Sequence, residues 1–520
     1  MLSQSNKFSW IKPAGLNDFL VLLAFISLVA LSSPEFALDP GVGWHLKTGQ
    51  WILENNTIPY SDPFLAGNVA RPWVSDQWLS DVVLYAVYSL QGWPFLYGFL
   101  LSVIAFNYLF IVRRGVLKAT AAPLATCFAV LYAFKLGQIH FILRPVVFSY
   151  LMFSLVYFRV YKLYAVLKEE RVPAFDWVLV LCFLVWANLH PGFASGLLLL
   201  GLLPVSILVD HFVLGTVNEL PKKSLIQLSV LVFVCLLATL VNPYGYELHR
   251  SIIELGRSSY FMDLHNEWKS PSFKEAAGLY FLGGLLTLTI PGLLFGYRTV
   301  GWRAFELLML SCFAIMSFRA IRVFPIFGIV CTLPLVQALH AFKDLALLQR
   351  TAGFSKLTFY LERLSQRERR SMMGTPVFCA LVAIALAGSL WQGRLPYYPG
   401  PFGPPASHYP YGALSYLAGL RRPVVVACNP NWGGFFTLMG GGNIRPLLDD
   451  RNTLVGEEFH RRFMEKLSAK PGWEEYFKGL GATHLLVEKS TALATLLKQK
   501  GARPLLYEDN LAIVYGYDDE

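Results

Sequence analysis

Long apolar runs separated by shorter polar loops dominate the chain as far as about position 391. A helix needs roughly 20 apolar residues to cross the hydrocarbon core of a bilayer, and the runs predict about eleven such spans. The predicted spans are Leu16–Leu31, Trp93–Val112, Ala121–Phe134, Val146–Leu163, Trp177–Leu189, Phe193–Phe212, Leu225–Val241, Ala277–Tyr297, Phe305–Phe318, Val323–His340 and Thr375–Trp391. This pattern predicts a polytopic α-helical membrane protein.

Two polar regions interrupt the pattern. Loop 34–80 begins after Ser-Ser-Pro at 32–34, because proline cannot continue a helix. Within this loop, Trp44–Glu54 mixes apolar and polar side chains and predicts a helix that lies in the headgroup layer. Near Leu395 the composition changes again, and the proline-rich and glycine-rich stretch 397–405 is typical of a linker.

Beyond the linker, short strand-like segments alternate with helical ones. The predicted strands are Pro423–Ala427, His484–Val487 and Ala512–Tyr515, and the predicted helices are Tyr411–Leu420, Glu457–Leu467 and Thr491–Lys500. This alternation predicts a small α/β domain. The expected organisation is a transmembrane domain at 1–394, a linker at 395–409 and an α/β domain at 410–520.

Composition and charge agree with a membrane location. The 520 residues are 55% hydrophobic and 15% charged, which excludes an ordinary soluble enzyme. The net charge of +10 is concentrated in loops on one side of the predicted spans, including Arg113-Arg114 and the segment 343–370. The positive-inside rule makes that side cytoplasmic. We therefore expect an inner (plasma) membrane protein with a cytoplasmic N-terminus, and with loop 34–80 and the C-terminal domain outside.

Other residue patterns exclude some partners and cofactors. No basic stripe with interleaved aromatic residues points to nucleic acid. Six of the seven cysteines lie in apolar runs, and Cys428 stands alone in the C-terminal part, so no disulfide is expected there. Gly440-Gly441-Gly442 lacks the Lys-Ser/Thr of a phosphate-binding loop and predicts a turn. Lys7 and Lys12 before the first run are typical of an uncleaved signal anchor.

Charged residues at the outer ends of spans are the candidate site. Asp39 opens the first outer loop, where a carboxylate can act as general base toward an acceptor hydroxyl, and His45 follows six residues later. Arg319 and Arg322 lie three apart and share one helical face, which suits a phosphate or diphosphate. Arg144, which stands before Pro145 at another outer span boundary, is a further candidate of the same kind. The alternative for these arginines is anchoring among lipid headgroups.

Four further residues are candidates to line the same cavity, namely Asp62, Asp76, His190 and Glu267. Asp62 and Asp76 are the residues to consider for a divalent cation such as Mg²⁺ or Mn²⁺, because oxygen ligands suit these ions. The cluster Asp449-Asp450-Arg451 in the C-terminal domain is interpreted as a solvated turn.

Taken in order, these motifs resemble the GT-C class of polytopic membrane glycosyltransferases, and within it a bacterial group. The residues that carry the resemblance are Asp39-Pro40, Trp44-His45-Leu46, Gly49, Asp62-Pro63-Phe64, Trp73, Trp78-Leu79, Arg144-Pro145, Asn188-Leu189-His190, Asn242-Pro243-Tyr244-Gly245, Glu267-Trp268, Ser270-Pro271, Arg319, Arg322, Pro325, Asn431-Trp432-Gly433-Gly434, Asp449 and Arg451. The resemblance implies a lipid-linked sugar donor such as a polyprenyl-phosphate sugar, an acceptor that is a cell-envelope glycan, lipid or protein, and Asp39 as catalytic residue. Relatives often carry a second acidic residue where this chain has Gly41, which leaves a metal-binding mechanism open.

Three alternatives to this glycosyl transfer remain open at this point. A ligase or polymerase acting on lipid-diphosphate glycans needs the same arginines with a longer groove. A GT-C relative without catalytic activity is a second, since Gly41 replaces an acid. A transporter or scaffold is the third, although the sequence shows no internal repeat of the kind common in transporters.

Overall fold

The computed structural model describes residues 34–67, 71–296, 300–343, 402–500 and 504–517, with a few helical positions between 356 and 366. The predicted spans Leu16–Leu31 and Thr375–Trp391, and the part of the predicted linker before residue 402, lie outside the described residues.

Helices make up the described chain as far as residue 343. They are α1 Val42–Asn55, α2 Trp78–Gln91, α3 Trp93–Ala105, α4 Arg113–Thr120, α5 Pro123–Gly137, α6 Val146–Lys168, α7 Trp177–Leu189, α8 Phe193–Phe212, α9 Lys222–Ala238, α10 Tyr246–Arg257, α11 Ser259–Leu264, α12 Ala276–Phe295, α13 Ala304–Arg319 and α14 Phe324–Lys343. A π-helical segment, Phe106–Val112, joins α3 to α4. Short 3-10 turns at Pro34–Ala37, Gln138–His140, Asn266–Trp268 and Ile321–Val323 lie between helices.

Several of these helices have the length and composition of membrane spans. In the described residues, five helices are long and apolar enough to cross a bilayer, at Trp93–Thr120, Val146–Lys168, Phe193–Phe212, Ala276–Leu293 and Ile321–Ala341. Trp177–Leu189 is a shorter apolar helix. The protein is thus a polytopic helical membrane protein, and the number eleven stays a prediction.

Some of the helices differ from the sequence prediction. The helix that begins at Trp93 continues through Arg113 and Arg114 to Thr120 instead of ending at Val112, because arginine favours a helix even where a membrane span would stop. The sequence prediction also missed α2. Its polar residues, such as Ser80 and Asp81, are buried in the protein and hide the apolar periodicity.

The helices share one apolar core. Aromatic side chains fill it, with Phe153, Tyr157 and Phe313 all fully buried. The phenol of Tyr157 on α6 donates to the carbonyl of Val330 on α14 at 2.9 Å. In a regular helix this carbonyl would accept from the N–H of the residue four positions later. That residue is Pro334, which has no N–H, so the phenol takes the place of the missing donor.

The C-terminal part is an α/β domain, as the sequence predicted. Its strands are β1 Val424–Ala427, β2 Ile444–Pro446, β3 His484–Glu488, β4 Leu505–Glu508 and β5 Ala512–Gly516, in the order β2-β1-β3-β5-β4. Its helices are α15 Tyr411–Gly419, α16 Pro430–Met439, α17 Asn452–Val455, α18 Glu457–Leu467, α19 Trp473–Gly479 and α20 Ala492–Lys500. Strands β1, β2 and β3 are parallel, whereas β5 pairs antiparallel with β3 and β4.

The sheet has an apolar cluster on each face. Along β3, Leu485 and Val487 belong to one cluster and Leu486 to the other, as the alternation of side chains along a strand requires. Helices therefore cover both faces. The missed strands β2 and β4 are short edge strands, where the apolar pattern is weak.

The C-terminal domain docks directly on the first loop. The N–H of Ala66 donates to the carbonyl of Pro446 at 2.9 Å, and Arg445 donates to the carbonyl of Leu65 at 2.6 Å. Loop and domain therefore lie on the same side of the helices.

Helix α1 is confirmed, but its environment is not the expected headgroup layer. It packs between α2 and α16, and Trp44, Leu46 and Ile52 are buried in the protein. The apolar face that suggested lipid contact is instead the face on which the domain rests.

Candidate active site

An ion pair between Asp39 and Arg144 is at the centre of the polar cluster. Oδ1 of Asp39 accepts from Nε of Arg144 at 2.5 Å and from the N–H of Gly41 at 2.7 Å. Oδ2 of Asp39 has no hydrogen-bond partner in the described part of the chain. Arg144 thus orients the carboxylate and leaves one oxygen for another molecule.

Gly41 is part of this arrangement. A Cβ at this position would lie 3.0 Å from both Nη2 of Arg144 and Oδ1 of Asp39. A side chain there, acidic or not, would press on the ion pair and require its two side chains to shift by a few tenths of an ångström.

Asp450 holds the other side of the Arg144 guanidinium. Its Oδ2 accepts from Nη2 of Arg144 at 3.0 Å, and its Oδ1 accepts from the indole N–H of Trp44 at 2.9 Å. Burial raises the pKa of Asp450 to about 7, although Arg144 opposes the shift. Burial alone would lower the pKa of Arg144, but the charges of Asp39, Asp450 and Glu267 outweigh it and raise that pKa.

The interpretation of Asp449-Asp450-Arg451 as a solvated turn is wrong. Arg451 is 5% exposed and donates to Asp449 at 2.7 Å and to Asp62 at 2.9 Å. Its guanidinium lies over the ring of Trp73 with 4.5 Å to the centroid. A charge this deep needs such partners, so the turn is held inside the junction of loop and domain.

A second polar group forms around Glu267. Its carboxylate contacts Nε2 of His140 at 2.8 Å and Nη1 of Arg322 at 3.3 Å. The guanidinium of Arg322 also lies over the ring of Trp268, 4.0 Å from the centroid. Burial acts to raise the pKa of Glu267, but His140, Arg322 and Arg144 together hold it below its usual value. Because the charges of Arg144 and Arg322 both lower the pKa of Glu267, the two clusters of charges are close to each other.

His190 lies beside these charges in a fixed tautomer. Its Nδ1 accepts from the N–H of Gly192 at 2.9 Å and contacts Oγ of Ser149 at 2.8 Å. Because Nδ1 accepts from a backbone N–H, it carries no proton, so the hydroxyl donates to Nδ1 while it accepts from the indole N–H of Trp186 at 2.8 Å. Burial and the charges of Arg322 and His140 lower the pKa of His190 to about 3. The ring is therefore neutral, with its proton on Nε2.

His45 is positioned by a residue that the sequence did not suggest. Nδ1 of His45 and Oδ1 of Asp81 on α2 are 2.6 Å apart, and both side chains are buried. Burial lowers the pKa of His45 and raises that of Asp81, which favours a neutral pair over an ion pair. Nearby, burial raises the pKa of Asp76 to about 6, against a hydrogen bond from Gln77.

The structure brings some of the sequence candidates together and separates others. Asp39, Arg144, His190, Glu267 and Arg322 share one end of the helices. Arg319 is exposed, and none of the contacts described above involves it. The residues that sequence reasoning missed are Asp450, His140 and Asp81. Of these three, only Asp450 could have been suggested from the sequence, because ligands of α/β proteins often bind at the carboxyl ends of parallel strands.

Comparison with known structures identifies the architecture. The chain is similar to the archaeal oligosaccharyltransferase AglB from Archaeoglobus fulgidus, in complex with an inhibitory peptide and a dolichol-phosphate, at 11% identity and a TM-score of 0.57. The match covers 91% of this chain and 69% of AglB. The protein has a GT-C fold.

Two further structures extend the comparison. The apo form of the same oligosaccharyltransferase gives a TM-score of 0.53 at 11% identity, with the same 91% and 69% coverage. Apo ArnT from Cupriavidus metallidurans gives 0.49 at 14% identity, over 96% of this chain and 97% of ArnT. No protein-family model and no curated protein matches the chain.

Within this GT-C fold, one of the two acids suggested for a cation is already engaged by several donors. Asp62 accepts from Arg451 at 2.9 Å and from the N–H groups of Phe64 and Leu65 at 3.1 and 2.9 Å. A carboxylate surrounded by donors has few lone pairs left for a metal. Asp76 accepts one side-chain hydrogen bond, from Gln77 at 3.2 Å, and a cation at Asp76 stays a prediction. In the described residues, no group of three or more potential ligand side chains comes together.

Proposed function

We propose that this protein is a membrane glycosyltransferase that moves a sugar from a polyprenyl-phosphate donor to an acceptor on the outer face of the membrane. The observation that carries the proposal is the convergence of a half-free carboxylate, Asp39, with two guanidinium groups, Arg144 and Arg322, at one end of a GT-C fold. The likeness to AglB, whose structure holds a dolichol-phosphate, supports the class of donor.

The electrostatics of the cluster suit an anionic leaving group. Arg322 has five N–H donors and, among the described residues, one ion-pair partner, Glu267. Arg322 and Arg144 each lie just before a long helix, α14 and α6, and a helix N-terminus carries partial positive charge. His190 adds an Nε2–H donor without adding a charge. A lipid phosphate held here would have its developing charge stabilised as the glycosidic bond breaks.

The reaction follows from these positions. The acceptor hydroxyl attacks the anomeric carbon and gives its proton to Oδ2 of Asp39. The bond between the anomeric carbon and the phosphate oxygen breaks, and the polyprenyl phosphate leaves with the electron pair. Attack opposite the leaving group inverts the anomeric configuration. Arg144 acts on Asp39, which it orients, while Arg322 and His190 act on the phosphate.

The test is a transfer assay in proteoliposomes. The donors are polyprenyl-phosphate hexoses and pentoses with a labelled sugar, and the acceptor is a cell-envelope extract. We expect Asp39→Asn to lower transfer by about 100-fold or more, the range for a lost general base. The matched control is Asp263→Asn, which changes an exposed acid of helix α11. Transfer by Asp39→Asn at the wild-type rate would contradict the proposal.

A lipid-diphosphate donor is the second candidate. The observation that favours it is a second guanidinium, that of Arg144, close to the proposed phosphate position, although Arg144 is itself held by Asp39 and Asp450. The same assay with a diphosphate-linked glycan distinguishes the two. Product from the diphosphate donor alone would assign a ligase or polymerase, and product from neither donor would leave a non-catalytic membrane protein.

A further inference from the structure

The α/β domain reaches into the proposed site with one side chain. Asp450 follows β2 at the carboxyl edge of the parallel strands and contacts Arg144, Trp44 and, through Arg144, Asp39. The side chain of Asp450 is 4% exposed and that of Asp39 is 5% exposed. One guanidinium thus bridges a carboxylate of the membrane part and a carboxylate of the C-terminal domain.

The position of Asp450 is set by a rigid junction. A Cβ on Gly434 of α16 would lie 2.4 Å from the carbonyl oxygen of Pro40, and one on Gly43 would lie 2.0 Å from that of Gly434. The backbones of α1 and α16 therefore touch. On the other side of Asp450, Arg451 is bonded to Asp62 at 2.9 Å. Asp450 cannot move away from Arg144 without breaking one of these contacts.

A second acid limits how far the guanidinium of Arg144 can turn. Arg144 with Asp39 alone is a neutral pair joined by one hydrogen bond from Nε, and the plane of the guanidinium can pivot about that bond. A second acceptor at Nη2 fixes its plane, since the donors of a guanidinium lie in a rigid fork. The first loop has Gly41 near this point, where a side chain would be tightly placed against Arg144 and Asp39, and the second acid is Asp450 of the C-terminal domain.

We propose that Asp450 is a positioning residue of the site, which holds Arg144 so that Arg144 holds Asp39, and that the C-terminal domain is therefore part of the catalytic unit. This inference rests on the proposed function. Asp450 touches neither donor nor acceptor, and it acts through Arg144.

The protonation of Asp450 makes the inference testable by pH. The groups that face it are Arg144, Asp39, Trp44 and, on its own turn, Asp449; the phenol of Tyr409 lies close enough to respond to its charge. With a pKa of about 7, Asp450 loses its proton as the pH rises through neutrality and then binds Arg144 as a carboxylate. Wild-type kcat should rise through about pH 7.

The experiment compares Asp450→Asn with Glu458→Gln, an exposed acid of the same domain. We expect Asp450→Asn to lower kcat by about 10- to 100-fold, as small misplacements of a catalytic group do, with the donor KM within about twofold. Its kcat should be flat where the wild type rises. Asp450→Glu should restore the rise, and Glu458→Gln should behave as the wild type. Unchanged kcat and pH profile in Asp450→Asn would overturn the inference.

Thermal unfolding in detergent separates this inference from the proposed function. Burial raises the pKa of Asp450 in the native state, so the native protein keeps a proton that the unfolded chain releases above about pH 4. Raising the pH to 7 therefore costs the wild type stability that Asp450→Asn does not lose. The Tm of the variant minus that of the wild type should increase from pH 5 to pH 8. A constant difference would contradict the raised pKa of Asp450 and the pH dependence inferred from it, even if no donor were ever transferred.

Discussion

The chemistry of single side chains in this protein is set by neighbours that do not touch the substrate. His190 is the best example, because Trp186 fixes the hydroxyl of Ser149, and this hydroxyl and Gly192 fix Nδ1 as an acceptor. A histidine read from the sequence has two tautomers and a charge that changes near neutral pH. Packed here, it has one tautomer and no charge.

A prediction at this scale concerns the Nε2–H donor of His190. Glutamine can place an amide N–H near Nε2, whereas alanine leaves no donor. We expect His190→Ala to weaken binding of a polyprenyl phosphate by about 10-fold or more, the worth of a hydrogen bond to a charged group, and His190→Gln to stay within about threefold. Binding is measured by tryptophan fluorescence titration in detergent. Equal losses in both variants would show that the N–H is not what the ring supplies.

At the scale of elements, the crossing of α1 and α16 decides the geometry of the site. Two glycines, Gly43 and Gly434, allow the helices to meet at backbone distance. Side chains at these positions would meet carbonyl groups, which cannot rotate away as a flexible side chain can. The crossing fixes Pro40, and hence Asp39, relative to the sheet.

We expect Gly434→Ala to destabilise the fold by about 1–3 kcal/mol, the usual cost of overpacking, and to lower transfer activity by moving Asp39. Chemical denaturation and the transfer assay measure the two effects. The control is Gly479→Ala in α19, where a Cβ meets nothing within 4 Å. If Gly434→Ala matched this control in stability, the close contact of the two helices would be wrong.

At the scale of the whole molecule, loop 34–67 and the C-terminal domain form one polar layer at one end of the helices. The structure fixes them to the same side, through contacts such as Ala66 with Pro446. Which side of the membrane this is stays a prediction from charge. The basic residues concentrate in the opposite loops, and the positive-inside rule predicts a cytoplasmic location for that face.

The orientation is tested with a protease-cleavable tag fused after residue 520. We expect protease to remove the tag from right-side-out membranes and to leave it intact in inverted vesicles. A cytoplasmic marker loop placed within 113–120 should give the opposite result. Protection of the C-terminal tag in right-side-out membranes would reverse the orientation and with it the outer-face site.

The elements could be predicted to the extent that their pattern is local. Apolar runs predicted the long helices, and short strand-like segments between helical ones predicted β1, β3 and β5, because each of these patterns needs only neighbouring residues. Helix α2 was missed because its buried polar residues, Asp81 among them, satisfy a tertiary contact with His45. The edge strands β2 and β4 were missed because they are stabilised by pairing more than by their own residues.

The sequence by itself determined the membrane class, the small α/β domain and the charged residues at the ends of spans, since a bilayer imposes length and apolarity on every segment separately. The tertiary structure alone decided that Asp39 shares Arg144 with Asp450, that His190 is neutral and that Arg322 pairs with Glu267 while Arg319 is exposed. These are contacts between residues far apart in the chain. Their energies depend on burial and on partners, and neither exists until the helices and the sheet have packed together.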